Sequence, residues 1–524
     1  MATSSNPENP RFEFKLQSKP NAVFHVTHIE GDEAISSPYR FQIVFGSSDF
    51  DLQADDFLLQ PAMLKIYTTD GQASMNYSGL VFEFGLIRRV NDFVLYEVVL
   101  RPRIWKMSFN RLTDVYCQEK TIPEIIADKL REAGLTDLNF EQRLRDPSVY
   151  PKRSLVCQFY ETDLDFISRH MESEGIYYFF DQTADFNEKL IMVDYRQAQP
   201  SAKKALYYFD VENMPTDMQD NRVTDLTTRS RVTTGKVVMK DFNYRKAALE
   251  DTLKSEVQVN SRGHGTTMYW GYNLREVKQT ERLATLRQQE LLCQQAAIEA
   301  QTTAIDVCSG STVTLKQHFQ STLNKDYLVF SARHVGRQSY AWFAHDARLG
   351  EPDSDSGTYY HCRFAGLSHD LQFRPSRKTP WPFVSGTLNG IVDDESEGKY
   401  AQLNDYGQYK VQFLFDLSAR NANRGSSWVR MASPYAGQGH GMAFPLLKGT
   451  EVIIGFMGGD PDQPIILGAA FNSENPNVLN ASNAHLGGMQ TDAGNYIVTN
   501  DTRDQEGVHI WSPGGNTHFY IGKF

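Results

Sequence analysis

Closely spaced strand signals in residues 379–472 constrain this chain most, because they leave few residues for anything but a small closed β-barrel. In Gly407-Gln408-Tyr409-Lys410-Val411-Gln412-Phe413-Leu414-Phe415, the alternate residues Tyr409, Val411, Phe413 and Phe415 fall on one face of a strand. Glu451-Val452-Ile453-Ile454-Gly455-Phe456 is a second apolar run. Gly458-Gly459-Asp460-Pro461-Asp462-Gln463-Pro464 then turns into a third, Ile465-Ile466-Leu467. Glycine supplies positive φ, and proline sets φ and removes a donor, so the turn has a physical cause.

Upstream, strand patterns dominate. Phe12-Glu13-Phe14-Lys15-Leu16 alternates, as do the runs 39–45 and 94–100, and strand signals return at 190–242, 326–337 and 358–373. Two short helices are expected. In residues 121–134, Thr121 caps, Pro123 sits in the first turn, Ile122, Ile125, Ile126 and Leu130 share a face, and Gly134 ends the helix. In residues 162–175, Thr162 caps with Asp165 three residues on, Leu164, Ile167 and Met171 share a face, and Gly175 ends it. Residues 275–300 read as the longest helix, with no Gly or Pro. Arg374-Pro375-Ser376-Arg377-Lys378-Thr379-Pro380-Trp381-Pro382 suits neither a helix nor a central strand, so a domain boundary is placed there. The expected division is 1–378, then a barrel at 379–472, a polar linker at 473–486, and a tail at 487–524. The tail pieces Tyr496-Ile497-Val498, Val508-His509-Ile510-Trp511 and Phe519-Tyr520-Ile521 are too few to bury a core, so an oligomer is expected.

Composition narrows the classes. At 524 residues, three to four domains are expected. A net charge of −11, with six Lys/Arg against nine Asp/Glu in residues 384–472, disfavours nucleic acid and anionic membrane as partners. The polar start Met1-Ala2-Thr3-Ser4-Ser5-Asn6-Pro7 carries no apolar signal region. Five scattered cysteines (Cys117, Cys157, Cys293, Cys308 and Cys362) without paired spacing read as reduced thiols, consistent with synthesis in the cytoplasm.

No catalytic, cofactor-binding or metal residue is assigned, because each candidate has a plainer explanation. His25 and His28 have His-x-x-His spacing, but a regular strand points them to opposite faces. Adjacent His361 and Cys362 diverge in the same way. Glu161, Thr162 and Asp163 could form an acid/base site, yet at a helix start they complement the dipole and free N–H groups. Gly437-x-Gly439-x-Gly441 lacks the lysine of a phosphate loop and reads as a turn. Trp428 and Tyr435 could stack sugars, with barrel core as the plainer reading.

Two motif groups in order carry a family resemblance. One is Cys157-Gln158-Phe159-Tyr160-Glu161-Thr162-Asp163-Leu164-Asp165-Phe166 followed by Glu172-Ser173-Glu174-Gly175-Ile176-Tyr177-Tyr178-Phe179-Phe180. The other comprises Gly407 to Asp416, Ser427-Trp428-Val429-Arg430, Pro434-Tyr435-Ala436-Gly437, Gly449-Thr450-Glu451-Val452 and Gly459-Asp460-Pro461-Asp462-Gln463-Pro464-Ile465-Ile466. Over essentially its whole length the chain resembles the VgrG family, the spikes of type VI secretion systems. Departures are modest: Arg169-His170 replaces the usual Arg-Leu, Phe413-Leu414-Phe415-Asp416 the usual Phe-Pro-Trp-Asp, Pro445-Leu446-Leu447-Lys448-Gly449 the Pro-Arg-x-Gly stretch, and His440 a frequent aromatic.

The resemblance implies a mainly β chain with minor α. Two hub-type β-barrel subdomains with inserted helices come first, then an OB-like barrel, then the start of a trimeric intertwined β-helix needle. It implies a non-enzymatic homotrimer of a contractile injection machine, exported by that machine. Its implied partners are an Hcp-like tube protein, baseplate subunits, a PAAR-like tip protein and effector or adaptor proteins, with the target membrane touched only mechanically. The lysozyme domain that the phage counterpart carries between barrel and needle has no room in the short 473–486 linker. A family needle would continue past Phe524, so the chain is either shortened or a short-spiked relative, such as an extracellular injection spike. A glycan-binding OB module is the other alternative.

Overall fold

The computed structural model describes residues 10–117, 119–200, 203–209, 220–340, 357–393, 395, 397–417 and 426–522, without the side chains of 249–252. By packing, the chain divides into two units: residues 1–153 with 157–382, and residues 383–524 with the short stretch 154–156.

The first unit is built on two curled sheets that share a seam. Six strands run in the antiparallel order Phe12–Leu16, Pro61–Tyr67, Ser74–Val90, Phe93–Arg101, Ser37–Ser47 and His25–Ala34. Alternation places Phe12, Phe14 and Leu16, then Tyr39, Phe41, Ile43 and Phe45, inside. Their rings pack closely, with Phe14–Phe45 centroids at 5.6 Å, Phe45–Tyr96 at 5.9 Å and Phe57–Phe84 at 4.5 Å. The last strand, His25–Ala34, pairs antiparallel with Asp326–Arg337 of a second barrel. That barrel closes on itself through Asp326–Arg337, Thr312–Lys316, Lys203–Tyr208, Arg222–Ser230, Ala296–Thr302 and Tyr359–Ser368, which pairs back to the first strand. Gln338, just past the seam, accepts the backbone N–H of Arg11 at 2.6 Å and of Phe12 at 3.1 Å, tying the first strand to the junction.

Four α-helices are described: α1 (Ala54–Phe57), α2 (Ile122–Glu132), α3 (Asp163–Glu174) and α4 (Val277–Cys293). In α2, Thr121 Oγ1 accepts from Glu124 N while the Glu124 carboxylate accepts from Thr121 N, a reciprocal cap. Thr162 caps α3 by accepting from Asp165 N at 3.0 Å, and Gly175 ends it at φ 75°. The expected 275–300 helix overshoots. α4 stops at Cys293, and Ala296–Thr302 is a strand of the closed barrel. Ile298, Ala300 and Thr302 are buried in alternation there, so pairing on both sides of the strand overrides the local helix preference.

The second unit begins with a small barrel. Its sheet runs Val411–Phe413, Thr387–Val392, Glu451–Phe456, Pro464–Ala469. Residues 426–432 complete the circuit. Tyr409 and Val429 exchange hydrogen bonds of 2.9 and 2.8 Å, and Ile466 N donates to Arg430 O at 3.0 Å. The result is a five-segment closed path, as in an OB barrel. Tyr409, Val411 and Phe413 face inward as their spacing requires, while Phe415 is only half-buried. Gly458 and Gly459 take φ 62° and 76° in the expected turn, and a Cβ on Gly459 would meet the Phe383 ring at 2.1 Å.

The tail is a four-stranded antiparallel meander: Leu486–Gln490, Tyr496–Asn500, Gly507–Ser512 and Thr517–Gly522. Among the described residues, none beyond Ile466 is buried. No helix among the described residues is long and apolar enough to cross a membrane.

Candidate assembly surface and the motif sites

The upstream family motif folds into a buried charge lattice. Arg169, 2% exposed, reaches back along α3 to Glu161 with Nε at 3.0 and 2.8 Å from the two carboxylate oxygens and Nη2 at 2.7 Å from Oε1. Its Nη2 also donates to Cys157 O at 2.8 Å, and Trp381 lies 4.2 Å under the guanidinium. Burial raises the Glu161 carboxyl above its ordinary range despite Arg169. Asp163 Oδ1 takes Lys129 Nζ at 3.1 Å and Gln158 Nε2 at 2.8 Å. Glu161 and Asp163 are therefore members of buried ion pairs, and only Thr162 plays the capping part that the spacing assigned to all three. His170 fits this buried position because it is uncharged. Burial, then the charges of Arg169 and Arg153, hold its imidazole well below the usual range, and it packs edge-on to Phe166 at 4.8 Å and Trp381 at 5.2 Å. Glu172 accepts from Lys378 N and Thr379 N, both at 3.0 Å, and from Thr379 Oγ1 at 2.9 Å. This carboxylate anchors the irregular 374–382 segment.

His25 and His28 do not diverge as they would on a regular strand. His25 pairs with Gly46, Val26 with Phe45 and His28 with Val44, because a β-bulge falls between Val26 and His28. The extra residue restores His28 to the face of His25, so the two do not diverge. His25 sits edge-on to Phe93 and Tyr340, each at 5.4 Å, and burial lowers the pKa of both histidines. His361 and Cys362 do separate, the first half-buried and the second fully buried. Gly437 and Gly441 flank a short exposed hairpin with Gly439 at φ 73°. Trp428 is half-buried under Lys410 Nζ, which stands 5.4 Å from its ring, and Tyr435 is 59% exposed, so neither belongs to the barrel core. Among the described residues, no group of three or more His, Cys, Asp or Glu side chains is placed to hold a metal.

One buried cluster has no sequence motif. At the seam, His334 Nε2 lies 2.9 Å from Glu33 Oε1 and its Nδ1 2.8 Å from Tyr360 OH. Ser309 Oγ donates to Glu33 Oε2 at 2.9 Å and Tyr77 OH to Glu33 Oε1 at 3.2 Å. Burial disfavours the imidazolium, but Cys362 and Glu33 outweigh it and push His334 up to about 10. The available signal was parity: Ala332, His334 and Gly336 share the inward face of their strand.

The tail presents an exposed apolar face. Opposed residues in antiparallel pairing share a face, so the register sets Met489, Ile497, Ile510 and Phe519 in one row across all four strands. Thr499, Val508 and Ile521 form the next row. Ile497 is 42% exposed, Ile510 39%, Phe519 57% and Ile521 56%. The strand Leu486–Gln490, which completes the row, lies in what the spacing assigned partly to linker; its two glycines gave no alternation to read.

Comparisons with known proteins agree with this geometry. The model for the phage tail baseplate hub matches residues 32–340, and that for the type VI secretion system/phage-baseplate injector OB domain matches 401–471. The chain is 27% identical to the type VI secretion system spike protein VgrG1b of Pseudomonas aeruginosa over 86% of its own length and 59% of that protein. It is 26% identical to the spike protein VgrG3 of Vibrio cholerae over 89% of its length and 45% of that protein. The chain thus spans about half the length of these curated relatives. In fold it is similar to the E. coli c3393 protein, a type VI secretion component with structural similarity to the T4 tail proteins gp27 and gp5 (TM-score 0.61, 22% identity, 87% of this chain and 100% of that one). It is also similar to a chain of the Francisella PdpA–VgrG complex (TM-score 0.61, 11% identity, 98% and 88%). With a hub model matching more than half its residues and an injector OB domain following it, the chain belongs to the phage tail baseplate hub family, in the VgrG-type arrangement of hub and OB barrel.

Proposed function

We propose that this protein is the non-enzymatic hub and spike of a contractile injection machine of the type VI kind, acting as a homotrimer. The observation that carries this reading is the apolar row Met489, Ile497, Ile510 and Phe519 on a sheet with no buried side chain. A four-stranded sheet with one apolar face requires something packed on that face. Identical copies meet the requirement with one sequence and closed symmetry. In this reading the hub ring joins an Hcp-like inner tube and baseplate subunits, and the OB barrel leads into a needle that carries a PAAR-like tip. Effector or adaptor proteins ride on the assembly, and the machine itself exports it after synthesis in the cytoplasm. The names of the VgrG spike relatives and of the PdpA–VgrG complex support the assignment. The proposed domains are hub 1–378, OB barrel 379–472, linker 473–486 and needle start 487–524.

Light scattering on the full chain at micromolar concentration tests it. A mass of three chains is expected, and Ile510→Asp should yield single chains with an unchanged circular dichroism spectrum. A wild-type chain that runs as a monomer would remove the reading. A glycan-binding OB barrel remains second, because Trp428 is half-buried and Tyr435 exposed. It requires cell-wall glycan binding that Trp428→Ala abolishes without unfolding the protein.

A further inference from the structure

The opposite face of the tail sheet carries polar rings. The register places Tyr496, Trp511 and His518 in one row and His509 and Tyr520 in the next. His509 Nε2 and His518 Nδ1 stand 2.9 Å apart. We propose that these two nitrogens chelate a divalent transition-metal ion of the zinc, nickel or copper class.

The hydrogen bonds around the pair hold both rings ready for it. Trp511 Nε1–H can only donate and faces Asn516 Oδ1 at 3.4 Å, which orients the Asn516 amide. His518 Nε2, 3.1 Å from that same oxygen, therefore carries its hydrogen there, leaving a lone pair on Nδ1. Tyr496 OH sits 2.8 Å from His509 Nδ1 and engages the far side of that ring. Each imidazole is thus steered by an oxygen on its outer nitrogen, the arrangement that metal-bound histidines use to fix tautomer and orientation. Without metal, a proton fills the gap: His509 Nε2–H donates to His518 Nδ1. Metal binding would shift that proton within the same ring to His509 Nδ1, where the Tyr496 oxygen accepts it, so that the neutral imidazole offers its Nε2 lone pair. The spacing suits this exchange. Two ligand nitrogens about 2.05 Å from one ion and at a right angle stand about 2.9 Å apart, and a tetrahedral angle needs a widening of only about 0.4 Å. Tyr520 OH, 3.1 Å from His518 Nδ1, is the nearest further oxygen, and water completes the coordination shell.

The site is complete within one chain, so it does not depend on the trimer reading. Calorimetric titration of the untagged, chelator-treated full chain with Ni2+, Zn2+ and Cu2+ tests it. One ion per chain is expected. H509Q and H518Q should each weaken binding about tenfold or more, on the scale of single-contact losses at metal sites, while H485Q leaves it unchanged. Copper EPR should show coupling to two imidazole nitrogens in the wild type and to one in either variant. Light scattering on the same samples reports the oligomer separately. No ion bound, or equal binding by the H509Q/H518Q double variant, would overturn the proposal.

Discussion

The hub's seam and the tail sheet are both antiparallel β-structure, yet they spend their side chains in opposite ways. Around the seam Phe41, Tyr77, His334 and Tyr360 are all 5% exposed or less, and even Glu33 is enclosed. In the tail the same kinds of residue stand on both faces of one sheet with solvent on either side. Among the described residues, half of the exposed large apolar side chains fall after residue 382, in little more than a quarter of the chain. The difference lies in layer number. A barrel supplies its own second layer by curling, whereas a single short meander has none and must find it elsewhere. Two polar clusters follow the same division: Glu33 and His334 find buried partners in the hub, whereas His509 and His518 find neighbouring surface rings in the tail.

The comparison breaks first if core truncation in the hub is tolerated. Phe45→Ala should cost about 3–5 kcal/mol, read as a lower urea midpoint of the hub transition, because a fully buried ring leaves a cavity. Arg169→Ala should cost about as much by stranding Glu161, whereas Arg169→Met with Glu161→Leu should recover most of the loss in the same melt. Seam electrostatics sharpen the contrast through pH. His334 is raised in the folded state, so its contribution is fully present below the unfolded value of about 6.5 and disappears as pH climbs to about 10. Hub stability should therefore fall between those limits, and His334→Gln should flatten the slope over that range. The smallest effect belongs to the tail: Phe519→Ser should move the hub transition by less than about 0.5 kcal/mol while weakening self-association. A large hub shift from Phe519→Ser would erase the distinction drawn here.

Local chemistry was readable where one residue does one job. Thr121 and Thr162 cap and Gly175 terminates because these roles depend on neighbours within four residues. The alternation of Tyr409, Val411 and Phe413 gave the inward face of the OB strand for the same reason. Local pattern is silent where the partner comes from another element of the fold. Ala296–Thr302 becomes a strand because Arg222–Ser230 and Tyr359–Ser368 flank it. His25 and His28 share a face because of a bulge that only the pairing reveals. Glu161 and Asp163 look like dipole-complementing carboxylates until Arg169 and Lys129 arrive beside them.

From residue order alone came the strand-rich class, the two capped helices, the OB turn chemistry and a tail without enough apolar residues for a core. Each follows from periodicity or from the φ preferences of Gly, Pro and capping residues, which act over a few positions. Tertiary structure alone decided that the strands 25–34 and 326–337 pair to join the two curled sheets, that His334 and Glu33 meet there, and that Met489, Ile497, Ile510 and Phe519 align in one row. Register and burial are properties of pairs separated by tens to hundreds of residues, so no local pattern in either strand encodes them.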